Sequence, residues 1–176
     1  MSVHTFSCFT HEQVKEINKK IKKNITEKQN LEDVAQNADK IGNFFYVPCL
    51  PLMEVMHSFL YHCQMLNKLH FGYDIYWNFH LETLIYNVYG ENDEYKWHID
   101  ANDQKTPIDA KLTCLLNLSE EPYEGGEFCL VNHKEKIKFD SGMGLVFTSL
   151  LAHKVTPITK GERITLTYWG HGPSWR

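Results

Sequence analysis

Arginine is nearly missing from this chain: of its 18 basic residues only Arg163 and Arg176 are arginine, and the rest are lysine. An excess of positive charge is missing too. A formal charge of −4 and a pI near 6.2 give no electrostatic footprint for a phosphate backbone, so no nucleic-acid partner is expected. The five cysteines, Cys8, Cys49, Cys63, Cys114 and Cys129, include no C-x-x-C pair. That spacing suits neither a zinc knuckle nor a disulfide framework, and the residues read as reduced thiols of a cytoplasmic protein. No run approaches the ~20 apolar residues of a membrane span. The first residues lack the charged and apolar stretches of a secretory leader, so neither membrane nor export is expected. The Asn-x-Ser/Thr matches at Asn24 and Asn117 therefore read as coincidence.

What is present suits a packed domain. With 176 residues, 43% hydrophobic and 13% aromatic, the chain is long and apolar enough for one sizeable core, and a single domain over 1–176 is expected. Its pattern changes near residue 72, dividing helical support over 1–70 from a strand-built core over 71–176. Val14, Ile17 and Ile21 recur at helical spacing among lysines behind a Thr10 N-cap, which predicts a helix over 11–24. Met53, Met56, Phe59, Leu60, Cys63, Leu66 and Leu69 predict a second over 51–69 with a core-facing stripe, leaving His57, His62 and His70 at the surface or at caps. Alternation between Gly, Pro, Asn and Asp clusters then predicts strands over 81–89, 95–99, 111–118, 127–131, 136–139, 144–147, 153–157 and 163–170. The expected fold is mainly β (α+β): a double-stranded β-helix, or jelly roll, with supporting N-terminal helices. The aromatic run Phe71, Tyr73, Tyr76, Trp77 and Phe79 reads as an edge strand packed on the second helix, or alternatively as a lid.

Two patterns carry chemistry. His98 and Asp100 are two apart, so a strand aims both at one point, and a later strand can return His153. Two imidazoles and one carboxylate are the ligand set of non-haem Fe(II) oxygenases, which leaves one face of the metal open. By itself His-x-Asp is weak; Arg163 strengthens it. A guanidinium fork takes a carboxylate such as the distal one of 2-oxoglutarate bidentately, where a lysine would act as a compact charge. Thr165 and Thr167 follow at period two with Ile164, Leu166 and Tyr168 between, so Arg163 and the two threonines share a polar face, with Trp169 on the same parity.

The strings Tyr89-Gly90, Tyr95-Lys-Trp-His98-Ile-Asp100, Leu116-Asn-Leu-Ser119, Tyr123-Glu-Gly125-Gly126-Glu127-Phe128, His153-Lys-Val155-Thr-Pro157 and Gly161-Glu-Arg163 stand in order through Trp169. In these the sequence resembles the prolyl-hydroxylase branch of the Fe(II)- and 2-oxoglutarate-dependent dioxygenases, and within it the small bacterial and phage hydroxylases of the PKHD type. The resemblance covers about half the sequence. It implies His98, Asp100 and His153 as iron ligands and Arg163 as partner of the distal 2-oxoglutarate carboxylate. It further implies Val155 and Thr167 lining the cosubstrate pocket, Tyr89 beside it, and Gly125-Gly126 as a tight turn. The implied cofactors are Fe(II), 2-oxoglutarate and O2, with ascorbate as a stimulant. The implied reaction is hydroxylation of an unactivated C–H bond, on a prolyl residue of a protein or peptide, or alternatively on a free amino acid or small metabolite. One departure stands out: where oxygen-sensing animal relatives place a tyrosine beside the bound carboxylate, this sequence offers Leu115 or Leu116, so Thr165, Thr167 or Tyr86 is expected to supply that hydrogen bond.

The loop over 101–110 leaves Asp100 directly and is a candidate substrate contact. A nucleic-acid demethylase of the alkylation-repair type would carry a second arginine six residues on, where this sequence has Trp169. A cupin-like structural zinc site would need a fourth protein ligand and has no use for a buried carboxylate receptor.

Overall fold

The computed structural model describes residues 3–25, 27–30, 39–79, 82–101 and 108–175, with only the backbone over 27–30. Elements run in sequence order as β1 (Val3–Ser7), α1 (His11–Asn24), β2 (Glu27–Asn30), β3 (Lys40–Ile41), β4 (Asn43–Pro48), α2 (Met53–Leu66), β5 (Thr83–Tyr89), β6 (Glu94–His98) and β7 (Ile108–Asn117). They continue as β8 (Glu124–Gly125), β9 (Phe128–Leu130), β10 (Met143–Thr148), β11 (His153–Val155), β12 (Ile158–Lys160) and β13 (Arg163–Pro173). Among the described residues seven strands form one sheet in the order β1-β10-β7-β13-β5-β4-β2, and four form a second in the order β3-β6-β11-β9. The strands pair antiparallel throughout, and β12 with β8 makes a separate ribbon. The two sheets face each other as a jelly roll, with both helices on the outer face of the larger one.

Helix α1 begins where its chemistry says it must. Thr10 Oγ1 accepts from the Gln13 amide while the Gln13 side chain accepts from the Thr10 amide, a complete capping box. Its buried Val14, Ile17 and Ile21 join Met56, Phe59, Leu60 and Cys63 of α2 over Leu84, Tyr86, Leu112, Cys114, Leu116, Leu166 and Tyr168 of the large sheet. A second apolar cluster, with Leu115, Phe128, Leu130, Phe139, Phe147 and Val155, lies between the sheets. The period of two therefore sorts β13 cleanly. Ile164, Leu166 and Tyr168 face the helices, and Arg163, Thr165, Thr167 and Trp169 face the opposite sheet.

Several expectations are corrected. The stretch before residue 70 is not helical support alone, because β1, β3 and β4 lie there and β1 and β4 extend the large sheet. The expected strand over 136–139 is irregular: Asn117 Nδ2 takes the Phe139 carbonyl, which a ladder partner would otherwise hold. The second helix ends earlier than 69, in a π turn Asn67–Phe71 closed by Gly72 at φ 67. The aromatic run after it is not an edge strand. Trp77 and Phe79 instead pack on Tyr168, and Tyr73 meets Trp175 edge-on. Positions 102–107 of the loop after Asp100 lie outside the described residues, and 108–110 already belong to β7.

Candidate active site

A cavity of about 170 Å³ opens between the two sheets. On the small-sheet side β6 and β11 pair so that His98 and His153 stand directly opposite each other, their ring centroids 4.1 Å apart. Asp100 lies just past the end of β6. Its backbone N–H donates to the Ser149 carbonyl at 3.1 Å, and Thr113 Oγ1 donates to its Oδ2 at 2.6 Å. Because that hydroxyl has a single proton, the 3.0 Å contact between Thr113 and Ser149 has Ser149 Oγ as donor. The result is three ligand atoms within 4.8 Å of one another, with His98 Nε2 3.6 Å from Asp100 Oδ1 and His153 Nε2 3.5 Å from Asp100 Oδ2.

Both imidazoles are oriented for ligation. His98 Nδ1 lies 2.7 Å from the Lys96 carbonyl and His153 Nδ1 lies 2.9 Å from the Leu151 carbonyl. A carbonyl oxygen only accepts, so each Nδ1 carries a proton and Nε2 is the nitrogen that each ring offers to the cavity. Burial first, and then the neighbouring His153, hold the His98 pKa well below the usual imidazole value. Tyr95 stacks on His98 at 3.4 Å between centroids, while Phe147 meets His153 edge-on at 4.9 Å.

The large-sheet side supplies a buried guanidinium. Arg163 is 1% exposed, and its Nε and Nη2 meet no acceptor among the described residues. Its guanidinium carbon lies 5.7 Å from the Tyr89 ring and 5.8 Å from the Phe139 ring, so the fork is held between aromatic faces with one edge unused. Gly126 makes room for it: φ there is +61, and an added Cβ would collide with Ile158 and stand 2.9 Å from Arg163 Cδ. Gly125, at φ +76, completes the tight turn expected here.

Each remaining predicted residue can be placed. Tyr89 pairs directly with Arg163, and Val155, Thr165, Thr167 and Leu115 all line the cavity. Trp169 lines it as well, with its Nε1 buried and without a partner among the described residues. Tyr86 is excluded as a carboxylate donor. It faces the helices, and its hydroxyl donates to Asn18 Oδ1 at 3.0 Å.

Sequence reasoning missed Lys40, Asn87, Thr113 and Ser149. Lys40 is 8% exposed, lines the cavity from β3 and donates to Asn87 Oδ1. Burial pushes its pKa down to about 7 against the opposing pull of Asp100. Asn87 in turn donates from Nδ2 to Thr167 Oγ1 at 3.1 Å. Thr113 was within reach of the alternation along β7, which sets it opposite in parity to Leu112 and Cys114. Nothing local marks Lys40.

Three clustered ligand atoms thus face a buried guanidinium across one jelly-roll cavity. Residues 84–171 match the 2OG-Fe(II) oxygenase superfamily, and the chain belongs to it. Its cofactors are accordingly Fe(II), 2-oxoglutarate and O2.

Among curated proteins it is similar to a PKHD-type hydroxylase of Alteromonas mediterranea, with 37% identity over 93 residues, 48% of this chain and 41% of that one. A PKHD-type hydroxylase of Shewanella frigidimarina is 34% identical over 93 residues, again 48% of this chain and 41% of the relative. The match thus spans under half the length of these relatives. Among solved structures, the viral collagen prolyl hydroxylase of Paramecium Bursaria Chlorella virus-1, in its 2OG complex, superposes with a TM-score of 0.73 at 17% identity, covering 98% of this chain and 97% of that one. A Pseudomonas putida prolyl-4-hydroxylase follows with 0.68 at 16% identity, covering 99% and 93%. At such identities the likeness carries the fold. No helix among the described residues is long and apolar enough to cross a membrane.

Proposed function

We propose that the protein is an Fe(II)- and 2-oxoglutarate-dependent hydroxylase acting on a prolyl residue of a protein or peptide. His98, Asp100 and His153 hold the metal, and Arg163 anchors the distal carboxylate of 2-oxoglutarate beside Tyr89, Val155 and Thr167. The observation that carries the reading is the Arg163 edge: two buried N–H donors without an acceptor among the described residues, on the wall opposite three ligand atoms. Leaving such donors unmet costs about 1–3 kcal/mol each, so a fork buried this way is built for a carboxylate. The donor set fits Fe(II) as well, since two imidazole Nε2 atoms and one carboxylate are what a facial triad requires.

When bound, iron with 2-oxoglutarate and O2 oxidises an unactivated C–H bond to C–OH, while 2-oxoglutarate departs as succinate and CO2. The protein's own share is positional. Thr113 and the Ser149 carbonyl hold Asp100, the Lys96 and Leu151 carbonyls hold the imidazole tautomers, and Arg163 fixes one end of the cosubstrate so that its other end reaches the triad. The prolyl part of the proposal leans on the PKHD-type relatives and the prolyl-hydroxylase fold. A cytoplasmic setting is in keeping with five free cysteines, two of them partly exposed.

The test is succinate formation from 2-oxoglutarate with Fe(II) across prolyl peptides and free amino acids, set against the rate without a primary substrate. Stimulation by prolyl compounds is expected, and so is its loss together with iron binding in His98→Ala, Asp100→Ala and His153→Ala. A triad variant that kept near wild-type Fe(II) affinity would remove that residue from the ligand set.

A further inference from the structure

Lys40 is the cation that the hydroxylase reading leaves unused. Several groups at the cavity are donors: the Nε and Nη2 of Arg163 and the Nε1 of Trp169, which have no acceptor among the described residues, and the Lys40 ammonium, which has three N–H and spends one on Asn87. Asn87 spends an N–H on Thr167 Oγ1, which leaves the hydroxyl proton of Thr167 to a different acceptor. Among the described residues Asp100 is the sole carboxylate lining the cavity. Cosubstrate uses the Arg163 edge at one end and the triad at the other, and the carboxylate that pulls on the lysine, Asp100, is then engaged by the metal. A buried ammonium against an amide and three aromatic rings is costly unless a negative group meets it.

Its surroundings join both sheets. Lys40 pairs with Tyr95 beside the triad in the small sheet, while its Nζ crosses to Asn87 of the large one. Its Nζ lies 5.3 Å from the Tyr95 ring, and that ring stacks on His98. Phe44 at 4.6 Å and Tyr89 at 5.8 Å complete an aromatic collar around it. A carboxylate seated on Lys40 therefore puts the carbon skeleton attached to it one ring's width from a metal ligand, where the reacting C–H must lie.

We infer that Lys40 receives a carboxylate of the primary substrate. The substrate class is then a free imino acid or a prolyl residue at the carboxyl end of a peptide, in place of an internal prolyl residue. The inference rests on the hydroxylase reading for the occupancy of Arg163, and it names the substrate of that same site.

The experiment compares L-proline with L-prolinamide, which differ in the carboxylate alone. Both are titrated into Fe(II)-loaded protein saturated with 2-oxoglutarate under anaerobic conditions and followed by tryptophan fluorescence, since Trp169 lines the cavity. A hydrogen bond to a charged group corresponds to about tenfold or more in affinity, so the wild type should bind proline about tenfold tighter than prolinamide. Lys40→Met should bring the two within about threefold, and Lys40→Arg should keep most of the preference. Lys40→Gln repeats the test without the charge if methionine disturbs folding.

The 2-oxoglutarate affinity of Lys40→Met should stay within about threefold of wild type. Equal or absent binding of the two probes by wild type overturns the inference. So does a preference that survives Lys40→Met. A loss of 2-oxoglutarate affinity in Lys40→Met as large as in Arg163→Ala assigns the lysine to cosubstrate and overturns it too. The hydroxylase reading fails on a different readout, the absence of iron-dependent succinate from wild type.

Discussion

Thr113 holds one oxygen of Asp100 through a 2.6 Å hydrogen bond inside a site where the carboxylate must not rotate. Outer groups of this kind typically carry about 10–100-fold in metal affinity. Thr113→Val, which keeps the shape and removes the proton, should therefore weaken Fe(II) or Mn(II) binding by about that factor while the protein stays folded. Unchanged affinity in a metal titration would mean that the Ser149 carbonyl alone orients Asp100. Arg163→Ala removes a charge-assisted fork from a buried pocket. A loss of about 2–4 kcal/mol, or roughly one to three decades in the 2-oxoglutarate dissociation constant, is expected, with Arg163→Lys milder. Direct titration with 2-oxoglutarate measures it, and an unaltered constant would return Arg163 to a structural role.

At this scale legibility depended on rarity and order. Arg163 stands out against sixteen lysines, and the triad falls in sequence order along strands, so both were visible. Lys40 is one lysine among those sixteen, on a two-residue strand whose position is set by pairing with β6 and by nothing nearby in sequence. The misplacement of Tyr86 was avoidable, since it has the parity of Leu84 and Val88 and the opposite parity to Tyr89.

Between elements, Asn18 is the pin. It is 1% exposed, donates to the Leu118 carbonyl at 2.9 Å and to Glu120 at 2.8 Å, and accepts from Tyr86. One side chain of α1 thereby fastens the helix to β5 and to the segment after β7. Asn18→Ala leaves a buried carbonyl and a buried phenol unmatched, which should lower stability by about 2–4 kcal/mol; chemical denaturation measures it, and Asn18→Leu, equally unable to bond them, should not rescue it. A change below about 0.5 kcal/mol would mean that water or neighbouring groups replace those bonds.

The helices were readable because their apolar spacing and the Thr10 cap are local. The strands β1 and β4 were not. Val3–Ser7 is a short polar edge strand, and Asn43–Pro48 carries a run of aromatic residues that lacks strict alternation. Each is a strand because of its neighbour, β10 for one and β5 for the other. The reverse error over 136–139 has the same origin: Lys-Ile-Lys-Phe alternates, but its Phe139 carbonyl is taken by a side chain.

For the whole molecule, ligand binding and folding are linked. On the proposed assignment, metal joins β6, β11 and the turn after β6, and 2-oxoglutarate joins that sheet to β13, so both ligands are expected to favour the native state over the unfolded one. At 100 times a dissociation constant one ligand adds about 2.7 kcal/mol. For a protein of this size that corresponds to a rise of roughly 5–10 °C in Tm. A thermal scan with Mn(II) and then with 2-oxoglutarate should show two successive rises, and Arg163→Ala should keep the first and lose most of the second. A single rise indifferent to Arg163→Ala would mean that the cosubstrate does not bridge the sheets.

The imidazole locks have an evolutionary corollary. The acceptors of His98 and His153 are the main-chain oxygens of Lys96 and Leu151, each two residues earlier in the sequence. Every amino acid carries that oxygen. Descendants of this sequence can therefore drift at exposed position 96 without turning the His98 ring, whereas Leu151 is held by its own packing between the sheets and not by the tautomer of His153.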